Sequence, residues 1–122
     1  MYLDAPILNF LSCPFGLGES HLVKRITDEF IRDRGLTLRD MITARNHPQD
    51  FIPALIKHRI PIALVSGDSD SLVPFEENGR LLKEAYEKAA CPIEVHIKPG
   101  ADHHPHGLSD PMPLVRFIEK YA

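Results

Sequence analysis

The chain has 122 residues, of which 43% are hydrophobic and 25% are charged, and its formal net charge at pH 7 is −3. This composition is typical of one soluble globular domain and excludes a disordered chain, while the scattered lysine and arginine residues argue against a nucleic-acid partner. No apolar run approaches the ~20 residues that span a bilayer, and the N-terminus lacks the basic and apolar regions of a signal peptide.

The first half of the chain predicts a short strand followed by helices. Residues 2–7 can be extended, and apolar residues at helical spacing then predict a helix from the N-cap Ser20 to the stop at Gly35. Thr37 and Pro48 are start signals for two more helices. The residues that we expect these two helices to bury are Leu38, Met41, Ile42, Phe51, Ile52, Leu55 and Ile56.

The second half, residues 60–122, alternates strands and helices. Residues 61–66 form an apolar run typical of a parallel strand that is covered on both faces. Residues 75–90 have helical periodicity, and residues 93–98 alternate apolar with polar side chains, as a strand near a sheet edge does. A last helix begins near Pro111, and its predicted buried residues are Leu114, Val115, Ile118 and Tyr121.

This order of elements predicts an α/β fold with parallel strands flanked by helices. We expect one domain, in which residues 1–59 form a strand plus a helical segment and residues 60–122 form a strand–helix–strand–helix unit. Open α/β sheets carry their functional groups in loops at the carboxyl ends of the strands. Two such loops are predicted here, at residues 67–74 and 100–107.

The two loops contain the acid and the base that a serine-type hydrolase needs. Such an enzyme uses a histidine to take the proton of the serine hydroxyl and a carboxylate to orient that histidine. Asp70 follows the first predicted strand of the second half, and His103 follows the next one. We expect both side chains at the same rim of the sheet, within hydrogen-bonding distance.

Two segments resemble the α/β-hydrolase family. Residues 61–74, PIALVSGDSDSLVP, are similar to the family's P-hydrophobic-G-x-x-D-x-x-V-P segment, and residues 98–103, KPGADH, resemble its P-G-x-x-H segment. The resemblance implies that Asp70 is the triad acid and His103 the catalytic histidine, in the family's acid-then-histidine order. Residues 103–111 resemble a subgroup of bacterial esterase-like members.

The resemblance implies hydrolysis of a small-molecule carboxylic ester through an acyl-enzyme, with no metal or organic cofactor. The family places its serine in a G-x-S-x-G turn, and the sequence contains no such turn. We therefore expect a partial α/β-hydrolase fold, the C-terminal portion, in which the N-terminal half with the nucleophile is missing. Alone, the chain should be inactive.

Neighbouring residues have structural alternatives. Asp70 could be a turn carboxylate, and Asp68 is a rival acid that fits the motif spacing less well and is interpreted as a loop-stabilising or exposed residue. Asp4 and Ser12 could help to shape a substrate pocket, although capping or turn roles are the alternative for both.

The loop histidines admit a second interpretation. We expect His104 and His106 to line the mouth of the pocket, but with His103 they form an H-H-x-H run that could bind zinc. The sequence favours no metal site, because three rings in one loop rarely aim at a single ion without help from elsewhere.

An alternative function of a different class is also open. The strand at residues 2–7 would leave an exposed sheet edge, a template for pairing. The chain could then be a non-catalytic interaction module or half of a split enzyme that assembles with a partner chain or with itself. Cys13 and Cys91 lack the spacing of a zinc site and are predicted to be packed thiols.

Overall fold

The computed structural model describes residues 1–12 and 21–122. Its strands are β1 (Tyr2–Asp4), β2 (Ile62–Gly67) and β3 (Ile93–Lys98), and its α-helices are α1 (His21–Asp33), α2 (Leu38–Thr43), α3 (Ile52–Lys57), α4 (Gly79–Lys88) and α5 (Met112–Tyr121). Short 3₁₀ turns, Pro48–Phe51 and Phe75–Glu77, precede α3 and α4. Within the described ranges, no helix has the length and apolar character needed to cross a membrane.

The three strands form one parallel sheet in the order β1-β2-β3. All six residues of the central strand β2 are buried, as its continuous apolar run predicts. The alternating strand β3 lies at one edge, which confirms the edge position that its pattern indicates, and β1 lies at the other edge. Pairing of a partner chain or a second copy with the β1 edge stays a prediction.

The core lies between the sheet and α4. Ile62 and Leu64 of β2 pack in one buried cluster with Leu82 and Tyr86 of α4, and each such side chain contributes about 1.5–3 kcal/mol through removal from water. The hydroxyl of Tyr86 donates to the Ile60 carbonyl over 3.1 Å, so its polar end is satisfied. Cys91 belongs to the same cluster as a packed thiol, as predicted, whereas Cys13 lies outside the described residues.

The helix boundaries follow the predicted signals. Thr37 caps α2: its hydroxyl accepts from the Asp40 N–H over 3.2 Å, and the Asp40 carboxylate accepts from the Thr37 N–H over 2.7 Å. Hydrogen bonds to the Asp40 carboxylate from the Thr37 hydroxyl (2.6 Å) and from the Thr37 N–H hold the pKa of Asp40 below its ordinary value. Gly35 follows α1 with a φ of +63°, the left-handed conformation that ends many helices. Ser20, the predicted N-cap of α1, lies outside the described residues.

Several predicted buried faces are wrong. Helix α2 buries none of its residues, and in α5 the buried residue is Phe117 at 5% exposure. The residues predicted to be buried that are exposed are Leu38, Ile42, Phe51, Val115, Ile118 and Tyr121. Neither α2 nor α5 packs extensively against another described element, so much of the apolar side of each helix is left uncovered. The 3₁₀ turn before α3 also points Phe51 outward, while Ile52 is buried.

Candidate functional site

The candidate site lies where β2 and β3 end. The two strands finish in register, with Gly67 paired to Lys98, so the loops that follow them leave the sheet side by side. The register puts Asp70 of the first loop and His103 of the second at the same rim, the placement that parallel strands give to residues at their carboxyl ends.

Asp70 and His103 are in direct contact. Oδ2 of Asp70 lies 2.9 Å from Nδ1 of His103. The Asp70 side chain is fully buried, whereas the His103 side chain is 19% exposed. The structure thus brings together the two residues that the family motifs single out, with the carboxylate behind the ring and the ring at the surface.

The other carboxylate oxygen of Asp70 holds its own loop. Oδ1 accepts hydrogen bonds from the N–H groups of Leu72 (3.0 Å) and Val73 (2.8 Å). A buried carboxylate is costly unless its lone pairs are used, and here both oxygens have partners. The turn contacts and the histidine contact of Asp70 therefore coexist in one side chain, although the sequence presents the two roles as alternatives.

This contact sets the proton positions on His103. An ionised carboxylate can only accept, so the hydrogen in the 2.9 Å contact belongs to Nδ1 of the neutral ring. Nε2 then carries the lone pair. A histidine in this tautomer is ready to accept a proton at Nε2 while its carboxylate partner stabilises the charge that forms.

Two further carboxylates join the loops. Oδ1 of Asp68 accepts from the N–H of Gly100 over 2.7 Å, and Oδ1 of Asp102 accepts from the N–H groups of Ser71 (2.9 Å) and His103 (2.8 Å). These backbone hydrogen bonds, that from Ser71 first, hold the pKa of Asp102 below its ordinary value. The loop-stabilising interpretation of Asp68 fits this contact. Sequence reasoning missed Asp102, whose one signal was its position directly before the histidine.

Gly67 allows the two loops to approach this closely. A Cβ added at this residue would lie 2.1 Å from the carbonyl oxygen of Ala101 and 2.9 Å from that of Asp102. Both are backbone atoms, which cannot swing away as a side chain can. The glycine at the end of β2 is therefore a steric requirement for the contact between Asp70 and His103.

Asp4 and His106 occupy the same rim. Oδ2 of Asp4, at the end of β1, accepts from the Gly107 N–H (2.6 Å) and the Tyr2 hydroxyl (2.8 Å). Partial burial opposes ionisation of Asp4, but these hydrogen bonds, with His106 nearby, bring its pKa below the ordinary value. Burial and the Asp4 contact raise the pKa of Tyr2 to about 12. Asp4 thus anchors the histidine loop; the pocket-lining role proposed for Asp4, His104 and His106 stays a prediction.

Ser12 belongs to a different network. It is 2% exposed, its hydroxyl is hydrogen-bonded to Glu77, and it accepts from Nδ2 of Asn78 over 3.1 Å. Oδ1 of Asn78 in turn accepts from the N–H groups of Leu8 and Asn9. These contacts fix the segment after β1 against the start of α4, which is the structural alternative for Ser12. Its part in a substrate pocket stays a prediction.

Comparison with known proteins supports the fold. Neither a protein-family model nor a curated protein matches the chain. Among solved structures, it is similar to a crystal structure of puromycin hydrolase, with 23% sequence identity and a TM-score of 0.51. The match covers 98% of this chain and 16% of that protein, so the chain spans a small part of its neighbour's length. At this identity the likeness shows the fold alone, and it confirms the predicted α/β-hydrolase-like fold.

Proposed function

We propose that this chain supplies the acid and the base of a serine-type carboxylic ester hydrolase. Asp70 is the triad acid and His103 is the general base. The observation that carries the proposal is the 2.9 Å contact between Oδ2 of Asp70 and Nδ1 of His103 at the carboxyl ends of two parallel strands. Its support is a fold shared with part of a hydrolase.

The mechanism uses His103 as a proton carrier. The serine oxygen attacks the carbonyl carbon of the ester while Nε2 of His103 takes the hydroxyl proton, and Asp70 stabilises the imidazolium. The bond to the alcohol oxygen then breaks, and the proton on Nε2 passes to the departing alkoxide. Water attacks the acyl-enzyme with His103 again as the base, which releases the carboxylic acid and restores the serine. Each step moves one proton through Nε2, and none requires a metal or organic cofactor.

The nucleophile of this proposal comes from outside the 122 residues. The sequence contains no G-x-S-x-G turn, and the part of the oxyanion hole made by the residue after the serine would be missing with it. The His103 side chain is 19% exposed and that of Asp70 is fully buried, so the ring is the member of the pair that a serine from another segment would approach.

The isolated chain is expected to show no His103-dependent hydrolysis of p-nitrophenyl acetate, because it has a base without the nucleophile that the base activates. His103→Ala should leave the background rate unchanged, and His58→Ala, at an exposed histidine after α3, is the matched control. Turnover that disappears in His103→Ala alone would place a nucleophile within this chain and contradict the expectation.

A positive experiment tests the same proposal. The reading frame upstream of the Met1 codon is expected to encode a G-x-S-x-G segment after a strand, and co-expression of that segment with this chain should restore ester hydrolysis. If the reconstituted protein is folded and inactive on short-chain esters, the proposed function is wrong.

A further inference from the structure

The three loop histidines form a cluster that the triad does not explain. The ring centroids of His103, His104 and His106 lie 4.6–4.9 Å apart, and the rings are nearly perpendicular to one another, at 76°, 79° and 88°. One ligand nitrogen from each ring lies within 4.8 Å of the other two. Three ligand nitrogens this close together can be brought onto one cation by rotation of the rings.

Three rings in one loop need help from elsewhere to aim at one ion, and hydrogen bonds from outside the histidine loop hold its backbone in place. The ammonium of Lys98 donates to the carbonyl of Pro105 over 2.5 Å, between His104 and His106. The N–H of Gly107 donates to Asp4 over 2.6 Å. The help from elsewhere that an H-H-x-H run needs therefore comes from the ends of β1 and β3.

Carboxylate oxygens lie near the Nδ1 atoms of two of the three rings. Oδ2 of Asp70 lies 2.9 Å from Nδ1 of His103, and Oδ1 of Asp4 lies 3.5 Å from Nδ1 of His106. Oδ1 of Asp4 is buried and has no hydrogen-bond partner among the described residues. Metal-bound histidines almost always give their other N–H to a carboxylate, a carbonyl or water. At 3.5 Å this contact is longer than a hydrogen bond, so a small shift of the His106 ring would be needed for its Nδ1–H to satisfy the oxygen and leave Nε2 for a metal.

The geometry points to a divalent transition-metal site, which we propose is formed by His103, His104 and His106 and takes Zn²⁺. Tetrahedral zinc with bonds of about 2.0–2.1 Å places its ligand nitrogens about 3.4 Å apart. The present separations must therefore close by up to about 1.4 Å, which rotation of the exposed rings of His104 and His106 can supply. Water would complete the coordination, as in open zinc sites.

Metal binding and proton transfer compete for one atom. With Nδ1 of His103 held by Asp70, the nitrogen that remains for the metal is Nε2, the atom that accepts the serine proton in the proposed hydrolysis. A bound ion would occupy Nε2 and would thus prevent His103 from acting as the base. The site shares His103 with the proposed function but does not rest on it, because binding needs no nucleophile.

Calorimetric titration of the 122-residue chain with Zn²⁺ at about pH 7.5, where imidazoles are mostly neutral, tests the site. We expect one ion per chain, and at least a tenfold weaker Kd in His104→Ala and in His106→Ala. His58→Ala is the control for adventitious surface histidines and should bind as the wild type does. Circular dichroism of each variant confirms that the fold is retained.

Two results would overturn the site. One is the lack of binding tighter than about 1 mM, and the other is a Kd that neither loop variant changes. Because the readout is heat of binding, such a failure removes the metal site and leaves the hydrolase proposal standing. Conversely, a reconstituted enzyme without activity would leave a measured zinc affinity untouched.

Discussion

Asp70→Asn is expected to lower kcat about 10⁴-fold in an enzyme that joins this chain to its nucleophile, the size seen for the equivalent change in serine proteases. The carboxamide oxygen must face the N–H groups of Leu72 and Val73, because those groups can only donate. Its NH₂ group then faces Nδ1 of His103. That contact selects the tautomer with hydrogen on Nε2, and the base is lost.

Asp68→Asn is the matched control for this change. Asp68 lies in the same loop and its carboxylate bonds to the Gly100 N–H, but the structure places Asp70, not Asp68, against the His103 ring. We expect the control to keep kcat within a few fold of wild type in a steady-state ester assay. Equal losses in both variants would show that loop geometry, rather than the carboxylate of Asp70, sets the rate.

Gly67→Ala is expected to lower the free energy of unfolding by about 3 kcal/mol, at the upper end of ordinary overpacking costs. The added methyl group would overlap the backbone of residues 101 and 102, so the histidine loop must move away from β2. The contact between Asp70 and His103 should weaken with it. Urea unfolding of the two proteins measures the stability change.

Gly35→Ala separates this steric effect from the general cost of replacing a glycine. Gly35 has a φ of +63° and nothing within 4 Å of an added Cβ, so its replacement should cost about 1–2 kcal/mol, as a left-handed alanine does. It should also leave the loops in place. If Gly67→Ala costs no more than this control, the close approach of the loops is not a steric requirement of the fold.

The strands and the Asp70–His103 contact could be predicted because their signals are local. A continuous apolar run marks β2, strict alternation marks β3, and parallel strands bring their carboxyl ends to one rim. Each loop follows its strand directly, so few residues separate the strand end from Asp70 or from His103. Because Gly67 pairs with Lys98, the two strands end at the same level and their loops start side by side.

The buried faces of the helices could not be predicted with the same success. Apolar spacing gives the stripe of a helix but not how much of the stripe the rest of the fold covers. Ile118 belongs to the predicted stripe of α5 and is 56% exposed, while its neighbour Phe117 is buried. What packs against α5 decides this, and the periodicity of ten residues does not specify it.

The H-H-x-H run is evident in the sequence, but the packing of its three rings could not be predicted, for a related reason. The path of the loop depends on hydrogen bonds from Lys98 to Pro105 and from Gly107 to Asp4, and Gly107 and Asp4 are 103 positions apart. The contacts of Asp102 with Ser71 likewise cross between the loops. Residue spacing carries no information on such long-range contacts until the strands that position them are known.

The most direct test of the proposed pairing of Asp70 with His103 is the protonation site of His103 in the 122-residue chain. Nitrogen–proton correlation spectra of the neutral imidazole are expected to show hydrogen on Nδ1 in the wild type and on Nε2 in Asp70→Asn, because a carboxylate accepts where a carboxamide donates. Hydrogen on Nε2 in both proteins would contradict the proposed pairing, since Asp70 would then not orient His103 as a base.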